Sequence, residues 1–176
     1  MSSIAEIPNR REFCRVDTYL PLEYRLITTE ERPLVRSRIS GEVLFPDFAL
    51  LPPSDDPLMQ SLSLLDKKLD AVLRLLSLQC NGFHALPFRY VSLSGNGMRF
   101  SSHGSFSCGD AIEFKVILTL NVPMALYLYG EVIRVEKQTD GYSINVRFLA
   151  TDDSLCDLVV RYVFEQERRM LREKRG

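Results

Sequence analysis

The sequence predicts a mainly β fold with α: a small antiparallel barrel or sandwich, interrupted by a long inserted helix and closed by a second helix. Three observations carry this. Five short runs late in the chain, FRYVSLS, GMRFSS, AIEFKVILTL, ALYLYGEVIRVEK and YSINVRFLA, are rich in β-branched and aromatic residues. They are divided by turns such as CGD and QTDG, the spacing of closely connected antiparallel strands. Ahead of them lies a leucine-rich segment with helical spacing, and the chain finishes on TDDSLCDLVVRYVFEQERRMLREKRG, whose acidic start and basic end match a helix dipole.

Taken in order, residues 1–12 form a flexible basic arm ending in Asn9, Arg10 and Arg11. FCRVDTYLPLEYRLI then alternates, with Val16, Leu20, Leu22, Tyr24 and Leu26 on one face and Arg15, Asp17, Glu23 and Arg25 on the other. Residues 13–29 are therefore read as a half-buried antiparallel strand that joins residues 86–150 in one β unit. Residues 30–56, with Pro33, Gly41, Pro46, Pro52 and Pro53, read as a connector. Residues 57–80 read as a helix with Asp56 as cap, Pro57 at its first position and Asn81–Gly82 as its stop. Residues 152–174 form the C-terminal helix.

The helix at 57–80 carries the strongest periodic signal. Leu58, Leu62, Leu65, Leu69, Val72 and Leu76 alternate spacings of four and three, the a/d seam of a left-handed coiled coil over about three heptads. With Leu62, Leu69 and Leu76 at a, Leu73 falls at e, Leu75 at g, and Leu64, Ala71 and Leu78 at c. The apolar arc is thus wider than a two-stranded stripe. One side is expected to pack on the β unit and the other on partner helices. That gives a homo-oligomer, with trimer or tetramer favoured over dimer.

Composition removes several function classes. The 176 residues are 45% hydrophobic and 26% charged, enough for one real core. With 22 basic and 23 acidic residues there is no overall field to hold a long nucleic acid or an anionic membrane. MSSIAEIPNRR lacks the apolar run of a secretory signal, and VILTLNVPMALYLYG is broken by Asn121 and Pro123, so a cytoplasmic protein without membrane insertion is expected. Cys14, Cys80, Cys108 and Cys156 form no C-x-x-C pair, and only His84 and His103 could join them, so the thiols read as buried or idle and no metal or cofactor is expected. No nucleophile elbow, zinc-protease, phosphate-loop or paired-carboxylate motif is visible, and His103 in SSHGSF reads as a surface loop residue. The protein is expected not to be an enzyme.

Two motifs remain. RREFCR places Arg10, Arg11 and Arg15 where the arm meets the first strand; guanidinium groups grip phosphate bidentately or stack on a base. VSLSGNGMRF interrupts a strand pattern with Ser92, Ser94, Gly95 and Gly97. By itself S-G-N-G is ordinary hairpin chemistry, with glycine supplying positive φ.

Together the two motifs resemble the PilZ domain family, whose members read the bacterial second messenger cyclic di-GMP. The family's R-x-x-x-R, often R-R-x-x-x-R, is matched by Arg10, Arg11 and Arg15; the serine and glycine of its D/N-x-S-x-x-G are matched by Ser94 and Gly97. The resemblance covers residues 10–29 and about 86–174, and it implies a PilZ-like β-barrel with a C-terminal helix. It also implies a cyclic di-GMP site of Arg10, Arg11, Arg15, Ser92, Ser94 and Gly97. Two departures stand out. Residues 30–85 separate the motifs, and Ser92 replaces the Asp or Asn that accepts from the guanine edge. A hydrogen bond involving a charged group contributes about 1.5–3 kcal/mol, so its loss weakens binding about ten- to a hundredfold.

The resemblance therefore implies a signalling protein with a degenerate site, its cyclic di-GMP binding weak or absent. The alternative is a nucleotide-independent PilZ-like adaptor that binds a protein partner in motility, adhesion or virulence.

Overall fold

The computed structural model describes residues 14–40, 55–120 and 123–174. Seven strands and two α-helices are described: β1 Arg15–Leu26, β2 Arg38–Ile39, α1 Pro57–Cys80, β3 Phe88–Ser94, β4 Gly97–Ser102, β5 Ala111–Thr119, β6 Pro123–Gln138, β7 Gly141–Leu149 and α2 Asp153–Glu173; all but β2, which falls in the segment read as a connector, follow the predicted order. The strands lie in the order β2-β6-β5-β1-β3-β4-β7, and β7 pairs back onto β6. Six strands thus close into an antiparallel barrel, with β2 added beside β6. Closure removes the sheet edges that would otherwise invite aggregation. It depends on β6, whose sixteen residues serve β5 with one stretch and β7 with the next. A bulge between Val132 and Arg134 bends the strand where that exchange occurs.

Alternation decides what enters the barrel. Val16, Leu20 and Leu22 of β1 join Val91, Leu93, Phe100, Phe114, Leu126, Ile144 and Val146 in one core. Leu26, expected on the same face, is instead exposed at the last position of β1, while Ile27 beside it is buried. The connector is less idle than its composition suggested. A 3₁₀ turn at Arg32–Leu34 leads into β2, and Ser37 is buried, donating to the Leu149 carbonyl at 2.8 Å and accepting from Tyr129 N–H at 3.0 Å. The connector residues 41–54 and the arm residues 1–12 lie outside the described residues.

Both helices are capped by the residues that announced them. Asp56 accepts from Leu58 N–H at 3.1 Å, and Asp152 accepts from Leu155 N–H at 2.8 Å. At the end of α1, Gly82 N–H reaches Gln79 O and Phe83 N–H reaches Leu78 O, with Gly82 at φ 74°: a Schellman stop, which glycine adopts without a Cβ penalty. Phe83 is then buried against Tyr127, anchoring the chain to the barrel.

The helices differ in what they cover. α2 buries Leu155, Val159, Tyr162 and Val163 in the barrel core. α1 does not pack on the barrel, contrary to the expectation that one of its sides would: no strand lies along it. Leu58, Leu62, Leu64, Leu65, Leu69, Val72, Leu75 and Leu76 are all exposed, from 42% at Leu62 to 65% at Leu58. The Schellman turn redirects the chain at Gly82, so that Phe83 packs on the barrel while the leucine arc of α1 stays exposed.

Candidate functional site

The two sequence motifs meet because β1 and β3 are antiparallel neighbours. Their register sets Arg15 opposite Ser94 and Asp17 opposite Ser92. The next strand extends both rows: Ser94 pairs with Gly97, and Ser92 with Arg99. β7 follows with Arg147 opposite Gly97 and Asn145 opposite Arg99. With Val16, Val91, Leu93, Met98 and Phe100 turned into the core, alternation turns Arg15, Asp17, Ser92, Ser94 and Arg99 the other way; Arg15, Asp17 and Arg99 are exposed there, whereas Ser92 and Ser94 are buried. Arg10 and Arg11 lie outside the described residues, so Arg15 is the member of RREFCR that the structure brings to this face.

The charges here are mostly uncommitted. Arg15 and Arg99 are exposed, and neither makes an ion pair among the described residues. Arg147 sits 3.8 Å from Glu131, whose other oxygen engages Arg32. Two guanidinium groups without ion pairs among the described residues leave this face able to engage an anion bidentately. Sequence reading missed Arg99; its signal was the period-two alternation of GMRFSS, which sends Met98 and Phe100 inward and Arg99 outward.

Ser94 and Gly97 have local duties. The Ser94 hydroxyl lies 3.0 Å from both Asn96 Oδ1 and the Gly97 carbonyl, and the residue is almost fully buried. The turn tip is tied down further by Phe148 N–H donating to Asn96 O at 2.9 Å and by the Cys156 thiol against Gly95 O. The expectation that glycine supplies positive φ here is not met. Among the described residues the left-handed glycines are Gly82, Gly109 and Gly141. Gly97 is glycine because β7 runs so close that a Cβ would strike the Val146 carbonyl oxygen.

Two further polar groups shape the surroundings. Cys14, just before Arg15, donates to Glu167 of α2 at 3.0 Å; that hydrogen bond, then burial, pushes its thiol pKa up, away from reactive thiolate character. On the β1–β5 side, Arg25 grips buried Glu113 with two nitrogens at 2.8 and 3.2 Å, while Tyr129 donates to Glu113 at 2.6 Å. Burial alone would raise Glu113, but the hydrogen bonds from Arg25 and Tyr129 outweigh it and hold the carboxyl below its ordinary range. Burial and the same carboxylate push Tyr129 up to about 12. This network joins β1, β5 and β6 and serves the barrel.

The PilZ domain model matches residues 71–165, from the middle of α1 into α2. Ser92, Ser94 and Gly97 fall within the match, and Arg10, Arg11 and Arg15 precede it. Among solved structures, the chain is similar to a pathogenic protein from Xanthomonas campestris, with a TM-score of 0.60, 20% identity and 91% of each chain covered. That protein is described as a new tetrameric PilZ domain self-assembled via an unusual helical bundle. No curated protein matches the chain.

Proposed function

Because the chain belongs to the PilZ domain family, whose model matches more than half of it, we propose that it is a non-enzymatic bacterial signalling protein: a cytoplasmic cyclic di-GMP receptor with a weakened site, assembled through α1. The observation that carries the ligand reading is the β1–β3 register, which sets Arg15 against Ser94 despite the connector and α1 between them. Arg15 and Arg99 then take phosphate, and Arg10 and Arg11 add to the clamp from the arm. Ser92 offers one hydroxyl where a carboxylate would offer two oxygens, and the nearest acid in register is Asp17, one strand away. Ordering of the arm on the ligand would be the output step, a population shift and not a chemical reaction.

The assembly reading rests on the exposed leucine arc of α1, larger than a soluble monomer ordinarily leaves in water. Its seam and flanking Leu73 and Leu75 favour more than two helices. The similar Xanthomonas campestris protein assembles as a tetramer via a helical bundle, and a homotetramer is the assembly proposed for this chain.

A second reading is favoured by Ser94. Its hydroxyl is engaged within the hairpin turn, which leaves less of the motif for a nucleotide and supports an adaptor that binds a protein partner instead.

Titration calorimetry with cyclic di-GMP separates the two. The receptor reading expects a measurable isotherm, lost in Arg15→Ala and strengthened about ten- to a hundredfold in Ser92→Asp. Heat in neither the wild type nor Ser92→Asp rejects the receptor reading and leaves the adaptor.

A further inference from the structure

The barrel wall contains a slot between β1 and β5. Leu22 N–H donates to Pro87 O at 2.9 Å, so the even-numbered residues of β1 turn their backbone groups toward β3. Ile27 N–H donates to Ala111 O at 2.9 Å, so the odd-numbered ones turn toward β5. β1 and β5 pair from Leu26↔Ile112 to Leu22↔Val116 and no further. The next odd residue is Pro21, which has no N–H to give the ladder. By the same alternation the N–H and C=O groups of Asp17 and Tyr19 point toward β5 beyond the end of the ladder, with no β5 partner in register, and Ile117 and Thr119 continue the corresponding edge of β5. The slot opens into a groove of about 900 Å³, walled by Asp17–Pro21, Ile117 and Thr119 and bounded by α2.

The groove's chemistry selects an occupant. From α2 it receives Arg168, Arg169 and Arg172 beside one acid, Glu165, and Asp17 adds a second acid from β1, so the arginines outnumber the carboxylates. Arg169 bonds Glu173, while Arg168 and Arg172 make no ion pair among the described residues. Apolar surface adjoins these cations: Tyr19, Phe88 and Met170 are exposed. Two strand edges without a ladder partner among the described residues, an excess of arginine at the rim and apolar footing fit an extended acidic segment whose side chains alternate apolar and carboxylate.

We propose that this slot captures an acidic, strand-forming peptide of a partner protein by adding it to the open edge of β1. The proposal deepens the partner-binding reading, but a negative peptide result overturns the slot alone, and nucleotide binding is judged separately by calorimetry.

The test uses the full chain and a short amidated peptide alternating Val and Glu. In the free protein, amide exchange followed by NMR is expected to be at least about tenfold faster at Asp17 and Tyr19 than at Thr18 and Leu20, whose amides face β3. Peptide should slow Asp17 and Tyr19, and Arg168→Glu with Arg172→Glu should weaken its binding about tenfold or more, both arginines being exposed and outside the core. A Lys-for-Glu peptide and one N-methylated along its backbone should fail to bind. Equal protection of all four amides in the free protein, binding of the N-methylated peptide, or indifference to the charge reversal would each overturn the proposal. Protection of Asp17 and Tyr19 that grows with protein concentration alone would overturn it in favour of a second copy of this chain.

Discussion

Arg15 of β1 and Ser94 of β3 are cross-strand partners in the barrel wall, although the connector and all of α1 separate them in sequence. The insertion therefore costs the motif face nothing in geometry. It leaves at one end of β1 and returns at β3, and the antiparallel register restores the juxtaposition.

Arg99 stands in the same row as Ser92. If that row carries the anion, Arg99→Ala lowers cyclic di-GMP affinity about tenfold, in line with one charge-assisted hydrogen bond. Because Arg99 is exposed and unpaired among the described residues, its urea midpoint should match the wild type. A loss of stability equal to the loss of affinity would reject the role.

The hairpin tip makes a prediction that needs no ligand. Gly97→Ala drives a Cβ into the Val146 carbonyl, a backbone atom that cannot rotate away, and should destabilise the barrel by about 1–3 kcal/mol in urea unfolding. Ser94→Ala should cost about 1 kcal/mol for its turn hydrogen bond. An unchanged midpoint in Ser94→Ala would mean that its contact with the turn contributes nothing.

Changing Leu62, Leu69 and Leu76 to Lys should reduce the mass seen by light scattering to the 20.2 kDa protomer. The near-ultraviolet circular dichroism of the barrel aromatics should persist, since no strand packs along α1. A wild-type assembly that keeps its mass in this variant would reject the seam.

The Arg25–Glu113–Tyr129 network ties stability to pH at both ends. Glu113 is depressed in the folded state, so its contribution is complete above the ordinary carboxylate range and is lost as pH falls through its folded pKa. Tyr129 is raised to about 12, so its contribution is complete below about 10, the ordinary phenol value, and is lost as pH rises from there toward about 12. Tyr129→Phe should remove the alkaline loss and cost about 1–3 kcal/mol at neutral pH, because the buried carboxylate loses a donor. Urea midpoints across pH check both signs.

Much of this was legible in local sequence because the signals are local. Alternation in FRYVSLS and GMRFSS, the Asp56–Pro57 start, the Gly82 stop and the acidic start of the last helix depend on neighbours a few residues away, and each element appears where its own chemistry requires. Leu26 failed for the opposite reason. Its pattern is that of a buried strand residue, but burial depends on what the fold packs over that face at the end of β1.

By itself, then, the sequence determined the elements, the β-rich class, the heptad seam and the two motif strings, because propensity, capping and periodicity act over a few residues. Register and closure were decided only in three dimensions. They placed Arg15 beside Ser94, brought Arg99 into the same face, committed the Ser94 hydroxyl to its turn and left α1 without a barrel to pack on. They also opened the slot at Pro21: a missing N–H matters only where a neighbouring strand would have used it, and only the fold names that neighbour.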